Sequence, residues 1–470
     1  MSTPPIDPQV LVDYLGKTRW FGGKGRPFEV SDVERVGDVP GGAEDGPRVV
    51  LHLVELTYHD EEGGTELYQV PLAFYVEAQS RLDHAFVGWW EDAEDGWVHA
   101  YDALHDREAM AHWLISFAAA EPVGSHRHES LDFRRLPGWT VDTSVHSTLF
   151  SGEQSNSSVA YGEDALMKVF RKVTPGVNPD IEIHEKLTVA GSTHVPALYG
   201  WLEHLRPDGE IVQLAMLQQF LRTATDGWDL ALTSVRDLFA EADLHANEVG
   251  GDFAGESSRL GDALREVHES LAEQFPTERR GADAARELAA AMNRRLDAAL
   301  AVVPELANHA DALRAAYDRV ARLPGLDVQR IHGDLHLGQT LRTSTGWKIV
   351  DFEGEPAKPL AERRLPDSPW RDVAGMLRSF EYAPHVVERT HTEHEPHEAS
   401  QLAYRAEEWA HRNRNHFLVA YAGGEPTEEQ RLLLDAYVAD KAVYETVYET
   451  RNRPSWVSIP LAAITRIGAR

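Results

Sequence analysis

Four side chains whose oxygen atoms suit metal binding and proton transfer lie close together in the sequence near residue 340. They are Asp334, Gln339, Asp351 and Glu353. Carboxylate and amide oxygens suit Mg²⁺ better than a softer metal, and we assign that role to the last three. Asp334 lies earlier, on a loop, where it is better placed to orient a substrate hydroxyl and accept its proton. A loop aspartate, an amide ligand and a strand-end aspartate in this order are typical of phosphoryl transfer.

A short hairpin is predicted to bring these groups together. Segments 340–342 and 347–350 can pair as antiparallel strands across a polar turn. In this register Gln339 lies opposite Val350, next to Asp351. The alternative is a solvated acidic hairpin, which the flanking histidine, glycine and apolar residues disfavour.

A lysine in an apolar strand is the candidate cation for a nucleotide. Lys168 lies within Ala-Leu-Met-Lys-Val-Phe, where it needs a partner, and we predict Glu182 on the following helix. The alternative is an edge lysine that points to water. Upstream, Phe150–Gly162 predicts a strand, a polar turn of small residues and a strand, either an ordinary hairpin or a turn whose N–H groups contact phosphate. The candidate phosphate-contacting residues in it are Ser155, Asn156 and Ser157.

Composition restricts the class of protein. The 470 residues include 46 Lys and Arg against 76 Asp and Glu, a net charge of −30, which disfavours nucleic acid and anionic membranes as partners. The absence of cysteine excludes disulfides, thiolate catalysis and cysteine-bound metals. We see no secretory signal and no run of about 18 apolar residues, so we expect a cytoplasmic protein.

The elements that must position these residues indicate an α+β fold in three parts. Residues 1–90 alternate apolar and polar side chains and predict a small β-rich unit with one helix. Residues 91–222 predict a β-rich lobe with a helix near 106–120, followed by a polar linker. Residues 223–470 are mainly helical; the apolar stripe from Leu260 to Phe275 predicts a helix capped by Ser257 or Ser258.

Several motifs together resemble a known family. HGDLHxxxQ followed by DFE resembles the aminoglycoside phosphotransferase and choline kinase branch of the protein-kinase-like fold. RWFGGKGR, EQSNSS, VNPDIEI, IHGDLHLGQ, DFEGEP, SPWRDVAGMLRSF and KAVYETVYETRNRPSWVSIP resemble the actinobacterial maltokinases and the related glucosamine kinases. The likeness spans nearly the whole chain. It implies a bilobal fold in which residues 1–90 form a cap, 91–222 a nucleotide-binding lobe and 223–470 a helical lobe with the catalytic loop and sugar site.

The resemblance also implies roles for single residues and a requirement for ATP and Mg²⁺. Asp334 matches the catalytic base, Gln339 and Asp351 the metal ligands, and Lys168 with Glu182 the nucleotide pair. Gln339 replaces the asparagine usual in the wider branch, and both offer an amide oxygen. Where that branch often has an aspartate, this chain has Glu353, which leaves a second metal site open.

Adenine recognition is expected at a hinge between the lobes. Backbone groups near Gln218 and Phe220 are the candidates, with Met216 behind the ring. Residues 19–26 (RWFGGKGR) form either a turn with buried aromatic side chains, which we favour, or a ligand loop.

The sugar pocket must lie beside Asp334, and the C-terminal helix offers polar and aromatic residues for it. The candidates are Lys441, Glu445, Tyr448 and Trp456, with His336 orienting Asp334 or touching substrate. The alternative for the aromatic residues is core packing. Asp372 is expected to brace the catalytic loop, and the histidines of THTEHEPHEAS are expected to be solvated.

These observations favour an ATP-dependent sugar kinase. We favour glucosamine as the acceptor. Its ammonium would bind to carboxylates on the helix 435–449, and Glu407 and Glu408 lie nearby in sequence. Maltose phosphorylated at its anomeric hydroxyl is the alternative. An aminoglycoside phosphotransferase and an inactive nucleotide-binding regulator are disfavoured, the first by the N-terminal unit and the second by the presence of Asp334, Lys168 and Asp351.

Overall fold

The chain divides into two compact units in the computed structural model. It describes residues 6–42, 46–61, 63–150, 156–241, 243–356, 358–390 and 396–468. Residues 1–182 with 196–222 form the first unit, and residues 183–195 with 223–470 form the second. The sequence placed a boundary at 222, where the structure also has one, but did not predict that 183–195 belongs to the second unit.

Strands dominate the first unit and helices the second. The strands are β1 Phe28–Asp38, β2 Arg48–Tyr58, β3 Thr65–Tyr75, β4 Phe86–Asp92, β5 Gly96–Asp102, β6 Gly124–His128, β7 Leu131–Arg135, β8 Ser147–Leu149, β9 Asn156–Tyr161, β10 Ala165–Phe170, β11 Lys172–Val173, β12 Leu198–Leu205, β13 Ile211–Gln219, β14 Thr225–Asp226, β15 Glu278–Gly281, β16 Gly325–Val328, β17 Thr340–Thr343 and β18 Gly346–Ile349. The helices are α1 Pro8–Lys17, α2 Arg107–Ala119, α3 Pro179–Val189, α4 Gly227–Ala240, α5 Ala254–Gln274, α6 Ala282–Val302, α7 Ala310–Val320, α8 Leu360–Arg363, α9 Trp370–Thr390, α10 Pro396–Ala422, α11 Glu428–Asn452 and α12 Ser458–Gly468. In the described part of the chain no helix is both long and apolar enough to span a bilayer.

The first unit contains two antiparallel sheets. One has the order β1-β2-β3-β5-β4, with β11 also paired to β3. This sheet extends to Asp102, so the predicted cap boundary at residue 90 falls inside strand β4. The segment 19–26 is the predicted turn with buried aromatic side chains, since Trp20 and Phe21 are both buried.

The second sheet has the order β6-β7-β12-β13-β10-β9-β8. Its first two strands form a hairpin where the sequence predicted a polar linker, and that prediction is wrong. The reason is that Leu131 and Phe133 alternate towards the core and are fully buried. Only Asp132 lies between them, and the charged and polar residues on either side of these three residues obscured the short strand in the sequence.

In the second unit the predicted apolar stripe lies on α5. Leu260, Leu264, Val267 and Leu271 are buried, and each buried side chain of this kind contributes about 1.5–3 kcal/mol relative to exposure. The predicted cap by Ser257 or Ser258 is wrong, because the helix begins at Ala254, before both serines. The Ser257 hydroxyl instead donates to Asn413 Oδ1 at 2.8 Å.

Candidate active site

A buried carboxylate holds the loop that carries Asp334. Asp372, at the start of α9, accepts the backbone N–H groups of His332 at 2.7 Å and Gly333 at 2.8 Å. His268 Nε2 lies 3.1 Å from the same carboxylate. Burial alone would raise the pKa of Asp372, but these hydrogen bonds and the nearby histidines lower it below its usual range. Asp372 therefore braces the loop as an anion, as the sequence predicted.

Asp334 is partly accessible and has a cation beside it. Lys441 Nζ, on α11, donates to Asp334 Oδ1 at 3.3 Å, and the Asp334 side chain is 27% exposed. Burial opposes the charge of Lys441, yet Asp334 and then Glu445 raise its pKa above the usual value. His336 is exposed, and its Nδ1 accepts the N–H of Gly338 at 3.1 Å. Among the described residues, Lys441 is the side chain hydrogen-bonded to Asp334, and a role of His336 in orienting Asp334 or touching substrate stays a prediction.

The predicted hairpin register is confirmed at its active end. The N–H of Val350 donates to the carbonyl of Gln339 at 3.0 Å, and Gln339 Nε2 donates to Asp351 Oδ2 at 3.0 Å. The amide nitrogen is thus used within the site, which leaves the Gln339 Oε1 oxygen for a ligand. Asp351 and Glu353 offer carboxylate oxygens within 4.8 Å of each other. This donor set fits Mg²⁺, which prefers hard oxygen ligands.

The backbone around this end is tightly constrained. Asp351 has φ +68°, a conformation uncommon for a residue with a side chain. Gly333 also has a positive φ, and a Cβ there would lie 3.3 Å from the Cα of Gly354. The Asp334 loop and the segment after Asp351 therefore pass close together because glycine occupies both positions.

A glycine on α9 allows the Asp334 loop to pack against that helix. A Cβ at Gly375 would lie 2.4 Å from the carbonyl oxygen of Leu335, next to Asp334. We expect Gly375→Ala to lower the free energy of unfolding by about 1–3 kcal/mol and to reduce turnover by displacing the loop. Denaturant unfolding and steady-state kinetics measure the two effects.

Gly255→Ala is the matched control on α5, since a Cβ there meets nothing closer than Arg259 at 3.7 Å. It should leave turnover unchanged and stability equal or slightly higher. Normal turnover in Gly375→Ala would contradict the tight packing of the loop.

The nucleotide candidates of the first unit lie on its second sheet. Lys168 Nζ donates to Asp180 Oδ2 at 2.9 Å, and both side chains are largely buried. Asn178 Oδ1 accepts the N–H of Asp180 at the start of α3, which fixes that carboxylate in the first helical turn. The carboxylate seen on Lys168 is thus Asp180, whereas Glu182, two residues further along α3, stays a predicted partner.

The predicted phosphate-contacting residues have different positions. Ser155 lies outside the described residues, and Asn156 begins β9. Lys168 pairs across the strands with Ser158, while Ser157 pairs with Val169, so Ser157 faces the opposite side of the sheet from Lys168. Its hydroxyl accepts a hydrogen bond from Arg171 Nε at 2.8 Å. The Ser157 side chain thus lies away from Lys168, and contact of the backbone N–H groups of this segment with phosphate stays a prediction.

The adenine candidates lie at the end of β13. Met216 is fully buried and pairs directly with Lys168, and Gln218 pairs with Leu166. The N–H of Phe220 donates to the carbonyl of Asp164 at 2.9 Å. These residues lie on the same sheet as Lys168, but the Phe220 N–H is already used by the protein.

Asp334 lies in a cavity of about 210 Å³ within the second unit. Lys441 also lines this cavity, as predicted, and so do charged and aromatic residues that the sequence analysis did not assign. The newly found lining residues are Arg295, Glu355, Lys358, Asp367, Arg371, Tyr437, Asp440 and Tyr444. The sequence analysis included Asp440 only among the carboxylates of the helix 435–449.

The other predicted sugar contacts are not among the residues that line this cavity. Glu445 is buried against Arg378, which donates to its Oε2 from Nε at 2.9 Å and from Nη2 at 2.6 Å. Burial raises the pKa of Glu445 despite this arginine. Tyr448 is exposed and stacks with Tyr444 at 6.4 Å between ring centroids. The ring of Trp456 lies against the guanidinium of Arg453.

Two regions of the chain match known protein families. Residues 14–106 match the maltokinase N-terminal cap domain, and residues 255–400 match the phosphotransferase enzyme family. The second match contains Asp334, Gln339, Asp351 and Asp372. In these two regions the chain is similar to maltokinases and to the phosphotransferase enzyme family. The resemblance seen in the sequence motifs is confirmed.

Similar proteins extend this likeness along most of the chain. A glucosamine kinase of Streptacidiphilus jiangxiensis is 29% identical over 327 residues, which are 67% of this chain and 71% of that protein. A glucosamine kinase of Mycolicibacterium smegmatis (strain ATCC 700084 / mc(2)155) is 27% identical over 391 residues, 79% of this chain and 90% of that protein.

Solved structures share the fold of this glucosamine kinase-like chain. A glucosamine kinase in crystal form B has a TM-score of 0.67 at 21% identity and covers 94% of both chains. A glucosamine kinase in complex with glucosamine, ADP and inorganic phosphate has a TM-score of 0.66 at 20% identity and covers 97% of this chain and 98% of that one. The predicted α+β, protein-kinase-like fold is thereby confirmed.

Proposed function

We propose that this chain is an ATP-dependent sugar kinase that transfers the γ-phosphate of ATP to glucosamine, giving glucosamine 6-phosphate. The observation that carries the proposal is the position of Asp334. This carboxylate lies on a braced loop, is partly accessible, and opens into a cavity lined by polar and aromatic side chains. A positioned carboxylate of this kind can accept the proton of a sugar hydroxyl as phosphate is transferred.

The roles of the surrounding residues follow from their contacts. Lys441 keeps the Asp334 carboxylate oriented through the 3.3 Å hydrogen bond. Lys168, aligned by Asp180, binds the phosphates of ATP and offsets their charge. Gln339, Asp351 and Glu353 would hold Mg²⁺, which when bound neutralises phosphate charge. Because the proposed reaction consumes ATP, we propose that the protein acts in the cytoplasm.

The size of the cavity supports a monosaccharide acceptor. At about 210 Å³ it is smaller than the roughly 300–1,000 Å³ of pockets for drug-sized ligands. A single sugar ring suits this volume better than a disaccharide. The relatives named glucosamine kinase also cover more of the chain than the maltokinase cap domain does.

Arginines bind three of the helix 435–449 carboxylates that the sequence predicted to favour an ammonium group. Glu445 and Glu449 are bound to arginines away from the cavity. In the cavity, Asp440 accepts two hydrogen bonds from Arg295, and Arg371 donates to both Asp367 and Glu355. The carboxylates that could bind the amino group in this cavity therefore also accept hydrogen bonds from arginines.

Maltokinase activity, which would make maltose 1-phosphate, is the second candidate function. The cap domain match over residues 14–106 is the observation that favours it.

Acceptor specificity distinguishes the two functions. At fixed ATP and Mg²⁺ we expect kcat/KM to be highest for glucosamine, with glucose poorer by about one to two decades, because one hydrogen bond to a charged group contributes about 1.5–3 kcal/mol. Maltose should be poorer still, since it needs a longer cavity. A highest kcat/KM for maltose would instead establish the maltokinase, and equal values for glucose and glucosamine would show that the amino group is not recognised.

A further inference from the structure

A buried arginine joins the first sheet of the first unit to the strand pair that carries Lys168. Arg171 is 1% exposed. Its Nη2 donates to Asp102 Oδ2 at 2.7 Å, and its Nε donates to Ser157 Oγ at 2.8 Å. Asp102 ends strand β5 and also accepts the hydroxyl of Tyr14 at 2.6 Å. One guanidinium thus spans from the cap sheet to the start of β9.

Trp20, in the aromatic segment 19–26, covers this contact. The guanidinium carbon of Arg171 lies 4.5 Å from the ring centroid of Trp20, and Trp20 is itself buried. A planar guanidinium can stack flat on an indole while its N–H groups donate to two partners in fixed directions, whereas an ammonium is a point charge without this planar fork. Trp20 therefore covers a buried cation, a role that the sequence alone did not reveal.

Ser157, to which Arg171 donates, lies next to the residue that pairs with Lys168. Ser157 is followed directly by Ser158, which pairs across the strands with Lys168. The backbone that Arg171 holds through Ser157 is thus the same backbone that lies opposite Lys168. A displacement of about 1 Å in such a support can lower activity by about 10²-fold.

We infer that Arg171 is a positioning residue for ATP, through which the cap fixes the β9–β10 strand pair around Lys168. The inference rests on the proposed function, because it takes Lys168 to be the ATP-binding lysine. The cap thus contributes to nucleotide binding through Arg171.

Two variants test this inference by equilibrium titration with ATP in the presence of Mg²⁺. Arg171→Lys keeps the charge but cannot both stack on Trp20 and reach Asp102 and Ser157. Ser157→Ala removes only the hydroxyl and keeps the buried arginine, so it stays informative if Arg171→Lys fails to fold. We expect each folded variant to raise the Kd for ATP by about tenfold, with the KM for the sugar acceptor unchanged because the acceptor cavity lies in the second unit.

Arg26→Lys is the matched control in the same cap. Arg26 also stacks on an aromatic ring, that of Tyr58 at 3.8 Å, and pairs with Asp60, and within the described part of the chain its hydrogen bonds go to Asp60 and Gly63 and not to β9. Its Kd for ATP should equal that of the wild type.

The outcomes separate the inference from the proposed function. Wild-type affinity for ATP in folded Arg171→Lys and Ser157→Ala would overturn the inference while leaving the kinase intact. Equal weakening in Arg26→Lys, or a parallel rise in the KM for the acceptor, would also overturn it by revealing a general structural effect. If the wild-type protein itself binds no ATP, the proposed function fails and the inference fails with it.

Discussion

Asp334→Asn should lower kcat by about 10²–10⁴-fold, the usual contribution of a positioned general base. An asparagine amide can still accept the hydrogen bond from Lys441, but it cannot take a proton from the sugar hydroxyl. We therefore expect the Kd for ATP and the thermal unfolding temperature to change little. Steady-state kinetics, ATP titration and thermal unfolding of the same preparation measure the three quantities.

Asp440→Asn provides the control for this variant. Asp440 lines the same cavity but is bound to Arg295, so its loss should act mainly on the KM for the sugar. If Asp334→Asn keeps most of the wild-type kcat, the assignment of the base is wrong. An equal fall of kcat in both variants would show that the cavity tolerates no change of charge, and the specific role of Asp334 would be lost.

Lys168→Ala should weaken ATP binding and also destabilise the first unit. The lysine lies 2.9 Å from the buried Asp180 carboxylate, and removal of one partner from a buried ion pair costs about 3–5 kcal/mol. The loss of ATP affinity has a separate cause, since the phosphates lose a cation. Denaturant unfolding gives the first effect and ATP titration of the folded fraction gives the second.

The double variant Lys168→Ala/Asp180→Asn separates these two effects. With the buried charge removed, we expect it to recover much of the stability but none of the ATP affinity. Recovery of ATP binding in the double variant would contradict a direct role of Lys168 at the phosphates. Unchanged stability in the single variant would contradict the buried pair.

The parts of the site that sequence reasoning predicted well are those set by local rules. The hairpin register follows from turn length and strand pairing, which is why Gln339 lies opposite Val350 as expected. The bracing role of Asp372 follows from its place at a helix start, where a carboxylate can accept backbone N–H groups of a neighbouring loop.

The parts that were missed depend on contacts between distant segments. Two acids lie in the first turn of α3, and only the fold shows that Asp180 bonds to Lys168. Ser157 and Ser158 are adjacent in sequence, yet strand pairing sends them to opposite faces of the sheet. Nothing local distinguishes Glu445, bound by the buried Arg378, from Asp440, which lines the cavity.

The acceptor cavity shows the same limit more strongly. Its walls combine α11 with Glu355 and Asp367, which lie on either side of α8 and are more than 70 positions away from Asp440 in sequence. The sequence was sufficient to select Lys441 on α11 as a neighbour of Asp334. The arginines that bind the acids, and so decide which carboxylates are available to a ligand, became visible only in the folded unit.

The most direct test is the identity of the phosphorylated product. The protein is incubated with ATP, Mg²⁺ and an equimolar mixture of glucosamine, glucose and maltose, and the sugar phosphates formed are identified by phosphorus and proton NMR. We expect glucosamine 6-phosphate as the main product, and we expect Asp334→Asn to form almost none of it. Formation of maltose 1-phosphate as the main product, or consumption of ATP with no sugar phosphate formed, would contradict it.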